Sequence, residues 1–286
     1  MTQQQTVDEI ARCLDQHKNP VVSCSFGKDS MTVLHLARRA YKDIPVVFNN
    51  TKAEYPDTLR FKRQIVEDWG INLIETKPID GWTFWKIVEK YGFPIGQRRG
   101  ASATSKCCYY LKKKPMSKAV KKHNWDLILD GMTIFESRQR YLQLSKYIDD
   151  GGYRFNKKWK CYKLSPILDW TPADVWDYIE DNDVPYNDYY NKPINGIEQM
   201  SKRGIPDKGF IRCLRLGCWA CTIPMRYNPY HLIHLKQYYP KLHQLILKKG
   251  LAKFMIEHGK NTEIYRELDV DWIIEHRPCY FDGVII

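Results

Sequence analysis

The chain has 286 residues, a size that fits one large domain or a domain with an appendage and excludes a string of independent modules. A hydrophobic fraction of 43 % with 13 % aromatic residues supports a packed core and excludes wholesale disorder, and no apolar run reaches the roughly 18 to 20 residues that cross a bilayer. Forty-five Lys and Arg against 33 Asp and Glu leave a formal charge of +12, which favours an anionic partner without separating nucleotide from nucleic acid.

Met1 to Gln5 is polar and lacks the layout of a signal peptide, so a cytoplasmic location is expected. There the nine cysteines stay reduced and read as metal ligands or reactive thiols before disulfides. Val7, Ile10, Ala11 and Leu14 recur at helical spacing, and after Pro20 the run Val21 to Ser25 reads as a buried strand. A helix over Lys28 to Tyr41 and a strand over Ile44 to Phe48 follow. Thr58 to Trp69 then reads as helix, and Ile71 to Glu75 and Trp125 to Asp130 as strands. This alternation predicts an α/β fold with a mainly parallel sheet covered on both faces.

Arg98 to Lys122 holds nine Lys or Arg and no acid, and it surrounds the tandem Cys107 and Cys108. Thr171, Pro172 and Asp174 form a helix start with a capping box, ahead of Trp176, Tyr178 and Ile179. Asn182 to Gly217 is rich in Pro, Gly, Asn and Tyr and predicts an irregular loop over a site. Helical patterning returns from Pro229 to His258, giving a division into a domain over 1–226 and a helical appendage over 227–286.

The sharpest local signal is Ser25-Phe26-Gly27-Lys28-Asp29-Ser30, between a predicted strand and a predicted helix. Gly27 permits close backbone approach, the helix start offers unpaired N–H groups, and Ser25 and Ser30 add hydroxyls, so the loop suits phosphate. It lacks the spacing of the Walker loop. The run resembles the Ser-x-Gly-x-Asp-Ser loop of the adenine nucleotide α-hydrolase, or PP-loop, superfamily.

Further segments, in order, resemble the phosphoadenosine phosphosulfate (PAPS) reductase branch of that superfamily. They are Val46 to Thr51 with Glu54 to Thr58, Gly131 with Glu136, Ser137 and Arg140, Pro166 to Thr171 with Asp174 to Trp176, and Arg215 to Cys221. The resemblance implies an adenine nucleotide α-hydrolase-like (Rossmann-like) fold. It also implies a nucleotide site drawing on Ser25 to Ser30, Asn50, Thr51, Gly131, Glu136, Ser137 and Arg140.

Cys107-Cys108 and Cys218-x-x-Cys221 provide four thiols in two close pairs. Soft thiolates favour zinc or iron–sulfur, and adjacent cysteines are awkward for a single zinc ion, whereas a larger cluster accepts them more easily. The resemblance favours a 4Fe-4S cluster, because adenosine 5′-phosphosulfate (APS) reductases hold one with such a tandem pair and distal Cys-x-x-Cys. Zinc and a metal-free site remain alternatives. The surrounding basic stretch would offset the cluster's charge, with Lys106 nearest in sequence, while Lys112 to Lys114 also suit a solvated helix face.

The chain departs from the family pattern at several positions. A reductase needs a cysteine nucleophile, which the family carries in a Glu-Cys-Gly-Ile/Leu-His motif. Here the late cysteine is Cys279, without those neighbours. Thr133 stands where an arginine is expected, Asn50 replaces an acid, and Phe26 replaces a common glycine.

These departures favour the superfamily's other chemistry, in which ATP adenylates a substrate oxygen and a sulfur nucleophile displaces AMP, with Lys28 on the phosphates and Asp29 the carboxylate for Mg²⁺. The basic balance and the Tyr/Trp-rich loop from Tyr186 to Trp219 suit a nucleic-acid acceptor, DNA or tRNA. A sulfur donor or thiol reductant protein is an implied partner, and self-association is left open. The alternatives are an APS or PAPS reductase using Cys279 or an external thiol, and a binding protein without turnover. Cys13, Cys24 and Cys161 read as structural and Cys213 as a spare thiol, while His231 and His234 read as packing or surface residues.

Overall fold

A computed structural model describes residues 3–94, 106–192, 205–207, 210–212, 216–223 and 230–249. In chain order the elements begin with α1 (Gln3–Asp15), β1 (Pro20–Ser23), α2 (Lys28–Ala40), β2 (Val46–Asn49), α3 (Pro56–Asp68), β3 (Leu73–Thr76) and α4 (Phe84–Tyr91). A short α5 (Lys106–Cys108) runs through a π-helical turn, Tyr109–Lys113, into α6 (Lys114–His123), followed by β4 (Leu127–Asp130) and α7 (Arg138–Leu144). The hairpin β5 (Arg154–Asn156) and β6 (Cys161–Leu164) precedes α8 (Pro172–Asp181). After it come β7 (Ile205–Asp207), β8 (Phe210–Arg212), α9 (Tyr230–Tyr238) and α10 (Pro240–Lys248).

The main sheet has the order β3-β2-β1-β4-β6-β5, parallel throughout except for the edge strand β5. Its central strands are short and apolar because both faces are covered. Val22, Val46, Phe48, Leu127, Leu129 and Leu164 face the main core with α1, α2 and α8. Val21, Val47, Ile128 and Cys161 face the other way, against Met116, Ala119 and Val120 of α6. Chain order runs outward from β1 through β2 to β3, then reverses to β4 and β6. The crevice beyond the carboxyl ends of β1 and β4 is therefore the topological switch point, where such sheets bind ligands.

The predicted capping box forms as expected: the Thr171 hydroxyl accepts from the Asp174 amide at 3.2 Å, and the Asp174 carboxylate accepts from the Thr171 amide at 2.7 Å. One expectation needs correction and another is refined. The stretch from Asn182 to Gly217 is not wholly irregular, since it contains a helical turn at Asp188–Asn191 and the β7–β8 hairpin. The helical patterning expected from Pro229 resolves into two helices, because Pro240 opens α10 at a position where its missing N–H costs nothing. Residues 250–258 of that expectation lie outside the described residues.

Leu232, Leu235, Tyr239 and Ile246 of the C-terminal helices share the main core with the sheet. Among the described residues no helix is long and apolar enough to cross a membrane.

Candidate functional site

Cys24 extends β1 by an amide hydrogen bond to the Val47 carbonyl, and the chain then turns through Ser25 to Gly27 into α2. Phe26 holds φ +57, a conformation that glycine adopts freely and that costs an L-residue roughly 1–2 kcal/mol. Its ring is fully buried edge-on to Phe48 at 5.6 Å, and burying a phenylalanine contributes about as much, so the loop keeps its glycine-like shape. The ring belongs to the core, which leaves only the Phe26 backbone for a ligand.

Inside the loop, Ser30 Oγ donates to the Gly27 carbonyl at 2.9 Å and lies 3.1 Å from both the Ser25 amide and the Ser25 hydroxyl. The Ser30 proton is thus held by the loop itself. The Lys28 amide, at the start of α2, donates to the Tyr190 hydroxyl at 3.1 Å, and Lys28 Nζ meets Asp29 Oδ1 at 2.5 Å. A Cβ on Gly27 would lie 3.2 Å from the Tyr190 oxygen, so glycine leaves room for this contact.

Gly131, just after β4, closes the loop from the far side. A Cβ there would sit 2.7 Å from the Asp29 carbonyl group and 2.8 Å from the Ser30 nitrogen. Beyond it, Glu136 pairs with Arg140, and Ser137 caps α7 by accepting from the Arg140 amide at 3.3 Å. Thr133 is buried. The motif thus brings Gly131 onto the loop, while Glu136, Ser137 and Arg140 close on one another.

After β2, Asn50 donates to Glu75 at 2.9 Å, and Thr51 donates its hydroxyl to Glu54 at 2.6 Å while lying 3.3 Å from Cys218 Sγ. The Cys-x-x-Cys segment docks here: Cys218 bridges Glu54, and the Trp219 amide donates to the Ala53 carbonyl at 2.9 Å. His231 of α9 holds the same segment from behind, with Nε2 2.9 Å from the Trp219 carbonyl and Nδ1 3.3 Å from the Tyr55 hydroxyl.

Cys107 and Cys221 each feel thiols of the other pair although the two pairs are far apart in sequence. Burial raises the Cys107 thiol, and Cys108, Cys218 and Cys221 raise it further. Cys221 is pushed up to about 12 by burial and then by Cys218 and Cys108. The cation among them is Lys112, whose ammonium is stabilised most by Cys218 and also by Cys108 and Cys221. This corrects two expectations. Lys106 is exposed with its ammonium 5.6 Å from the Tyr91 ring, and Lys112 is not simply part of a solvated face. Among the described residues no group of three or more His, Cys, Asp or Glu side chains is arranged to hold a metal ion, so the thiols share one region without closing on a single centre.

The rings expected to meet a nucleic acid in the Tyr186 to Trp219 loop are mostly packing residues: Tyr189, Tyr190 and Trp219 are buried, and Tyr186 is half-buried against Trp176. Cys24 and Cys161 are buried as expected, and Cys13 is half-buried. Arg215, Cys213 and Cys279 lie outside the described residues. Sequence reasoning missed Tyr190 and the role of His231. The lysine run offered a signal for Lys112, but nothing in it separates Lys112 from its neighbours.

Among relatives, the uncharacterized protein MJ0973 of Methanocaldococcus jannaschii is 31 % identical over 229 residues, covering 79 % of this chain and 47 % of its own length. The chain therefore spans about half of that relative. An adenosine 5′-phosphosulfate reductase of Staphylococcus haemolyticus is 26 % identical over 205 residues, 72 % of this chain and 71 % of the relative. A phosphoadenosine 5′-phosphosulfate reductase of Xylella fastidiosa is 30 % identical over 169 residues, 59 % of this chain and 66 % of the relative. The phosphoadenosine phosphosulfate reductase domain model matches residues 19–224, from β1 through the Cys-x-x-Cys segment, and the chain belongs to that family.

Proposed function

We propose that the protein is a PP-loop enzyme that binds an adenine nucleotide and couples adenylation by ATP to sulfur transfer onto an acceptor such as a nucleic acid. A 4Fe-4S cluster held by Cys107, Cys108, Cys218 and Cys221 belongs to this reading. The observation that supports it is that Cys107 lies within electrostatic reach of both distal thiols, Cys218 and Cys221, of which Cys218 is bridged to Glu54 in the segment that follows β2. Four soft donors in one region suit a thiolate-bound cluster, whose negative charge Lys112 would offset. Bound there, such a cluster supplies iron able to hold sulfur.

In this chemistry an acceptor oxygen attacks the α-phosphorus of ATP and pyrophosphate leaves. A hydrosulfide donor then forms the C–S bond as the C–O bond breaks and AMP departs. The amides at the start of α2 and the Lys28 ammonium would stabilise the charge growing on the departing pyrophosphate. Mg²⁺ on the triphosphate would meet Asp29.

The likeness to APS and PAPS reductases favours a second reading, a sulfonucleotide reductase. In it Cys279 or an external thiolate attacks the sulfate sulfur, AMP or adenosine bisphosphate leaves, and a second thiol releases sulfite.

An anaerobic assay on iron- and sulfide-reconstituted protein separates the two. ATP, APS and PAPS are offered singly, and pyrophosphate, AMP, adenosine bisphosphate, sulfite and bound iron are followed. Pyrophosphate and AMP from ATP, stimulated by DNA or tRNA, with iron retained and lost on Cys218→Ser, is the expected result. Thiol-dependent sulfite from APS or PAPS would establish the reductase instead, and nucleotide binding without turnover would leave a binding protein.

A further inference from the structure

We propose that the band of rings and lysines from Tyr91 to Trp159 is a binding track for single-stranded nucleic acid. As the place where an acceptor strand would lie, it rests on the sulfur-transfer reading above; as a binding surface it stands on its own geometry. The two ends of α4 and the turn after the tandem cysteines bring four rings together. Trp82 stacks on Tyr110 with centroids 4.4 Å apart, Tyr91 lies near-parallel to Tyr110 at 6.3 Å and 15°, and Tyr109 meets Tyr110 edge-on at 5.1 Å. Tyr91 and Tyr109 are 41 % and 36 % exposed.

Lysines interleave these rings. Lys90 reaches Trp82 and Tyr91 at 5.7 and 5.6 Å, and Lys106 reaches Tyr91 at 5.6 Å. Lys114 reaches Tyr110 at 6.0 Å, and Lys158, from the β5–β6 turn, reaches Tyr109 at 5.6 Å. Next along that turn is Trp159, with Lys163 of β6 lying 5.1 Å from its ring.

The sequence from Lys106 to Lys122 has seven lysines and no acid. Of the acids on the neighbouring elements, Asp80 is paired with Lys114 at 2.6 Å, Asp130 with Lys163 at 2.9 Å, and Glu89 is exposed on α4. The band ends at a cavity of about 80 Å³ by the carboxyl ends of β1 and β2, lined by Ser23, Asn49, Lys112, Lys113, Trp159 and Lys163. It therefore leads from open surface to the carboxyl ends of β1 and β2.

Rings alternating with ammonium groups match bases alternating with phosphates. Lysines alone would serve any polyanion, whereas partly exposed rings add stacking that favours a ligand with flat faces. A duplex keeps its base faces stacked inside, so the track selects single strands.

The test is fluorescence anisotropy on the full chain with labelled oligo-dT and oligo-rU of about 15 nucleotides, a duplex of the same length, and heparin as competitor. Single strands are expected to bind at least about tenfold tighter than duplex, and Tyr91→Ala with Tyr109→Ala to weaken them about tenfold or more. Tyr91→Phe with Tyr109→Phe should keep the affinity, as should Tyr41→Ala, an exposed ring at the end of α2. Lys90→Gln with Lys158→Gln should lower the log–log salt slope by about 1.4.

Absence of strand binding, or binding equal to that of a duplex and indifferent to the ring substitutions, would overturn the proposal. ATP titrated calorimetrically into the same preparation keeps the two readings apart. ATP binding without strand binding sinks the track and leaves the nucleotide site. Ring-dependent strand binding without nucleic-acid-stimulated ATP turnover leaves the track and sinks the acceptor reading.

Discussion

Gly131 sets the tightest constraint on the PP-loop, because any side chain there meets backbone rather than a yielding side chain. A Cβ 2.7 Å from the Asp29 carbonyl forces either β4 or the start of α2 to move. Gly131→Ala is expected to cost about 1–3 kcal/mol of stability, as overpacking does, and to weaken ATP binding about tenfold or more. Thermal melting and calorimetry check this, and an unchanged ATP affinity would mean that the loop conformation seen here is not the one that binds. Phe26 shows the complementary case. A residue poorly suited to φ +57 is kept there by burial, so a departure from the family pattern is absorbed in the core without altering the loop.

At the scale of elements, α9 and α10 pack on the start of α3 through groups that titrate, a buried imidazole and a buried carboxylate. His234 is fully buried among Tyr189, Tyr238 and Tyr55, and burial, followed by the neighbouring His231, pushes it down to about 3. Its neutral form is favoured by folding, so its contribution is complete above the unfolded value near 6.5 and declines as pH falls from there towards 3. The decline is about 1.4 kcal/mol per pH unit for one such group.

Asp57 works in a lower window. Burial would raise it, but the Tyr239 hydroxyl and Lys192, 2.9 Å away, hold it below the usual carboxylate range. Its contribution is present above the unfolded value near 4 and is lost as pH falls through the folded one. The melting temperature is therefore expected to fall steadily from about pH 6.5 to 4, and His234→Leu should flatten that slope. A profile over this range that the substitution leaves unchanged would show that His234 is not the titrating group.

For the molecule as a whole, the question is whether the chain from residue 227 is a separable appendage. Leu232, Leu235, Tyr239 and Ile246 lie in the core that also holds Tyr55, Phe61 and Val175. Each such side chain contributes about 1.5–3 kcal/mol on burial. Truncation at residue 226 also removes His231 from the Trp219 carbonyl and Tyr239 from Asp57. The shortened chain is expected to unfold or to melt well below the full one in circular dichroism. A shortened chain that melts like the full one would establish an independent domain over 1–226.

The sequence by itself determined the elements whose causes are local. Apolar runs specify β1, β2 and β4, helical spacing specifies α1 to α3, and the Thr171–Asp174 capping box specifies the start of α8. It also carried the PP-loop, whose residues are contiguous, and the two cysteine pairs. Only the tertiary structure decided what depends on meetings between distant segments. Tyr190 reaches the Lys28 amide across 162 positions, Lys112 and not Lys106 lies among the thiols, and His231 holds the Trp219 carbonyl. The same packing buried the loop tyrosines that sequence alone offered to a nucleic acid and left exposed rings beside α4 instead. Spacing along a chain records which face of one helix or strand a residue occupies. It holds no record of which other element that face will meet, because that is settled by burial of the whole core at once.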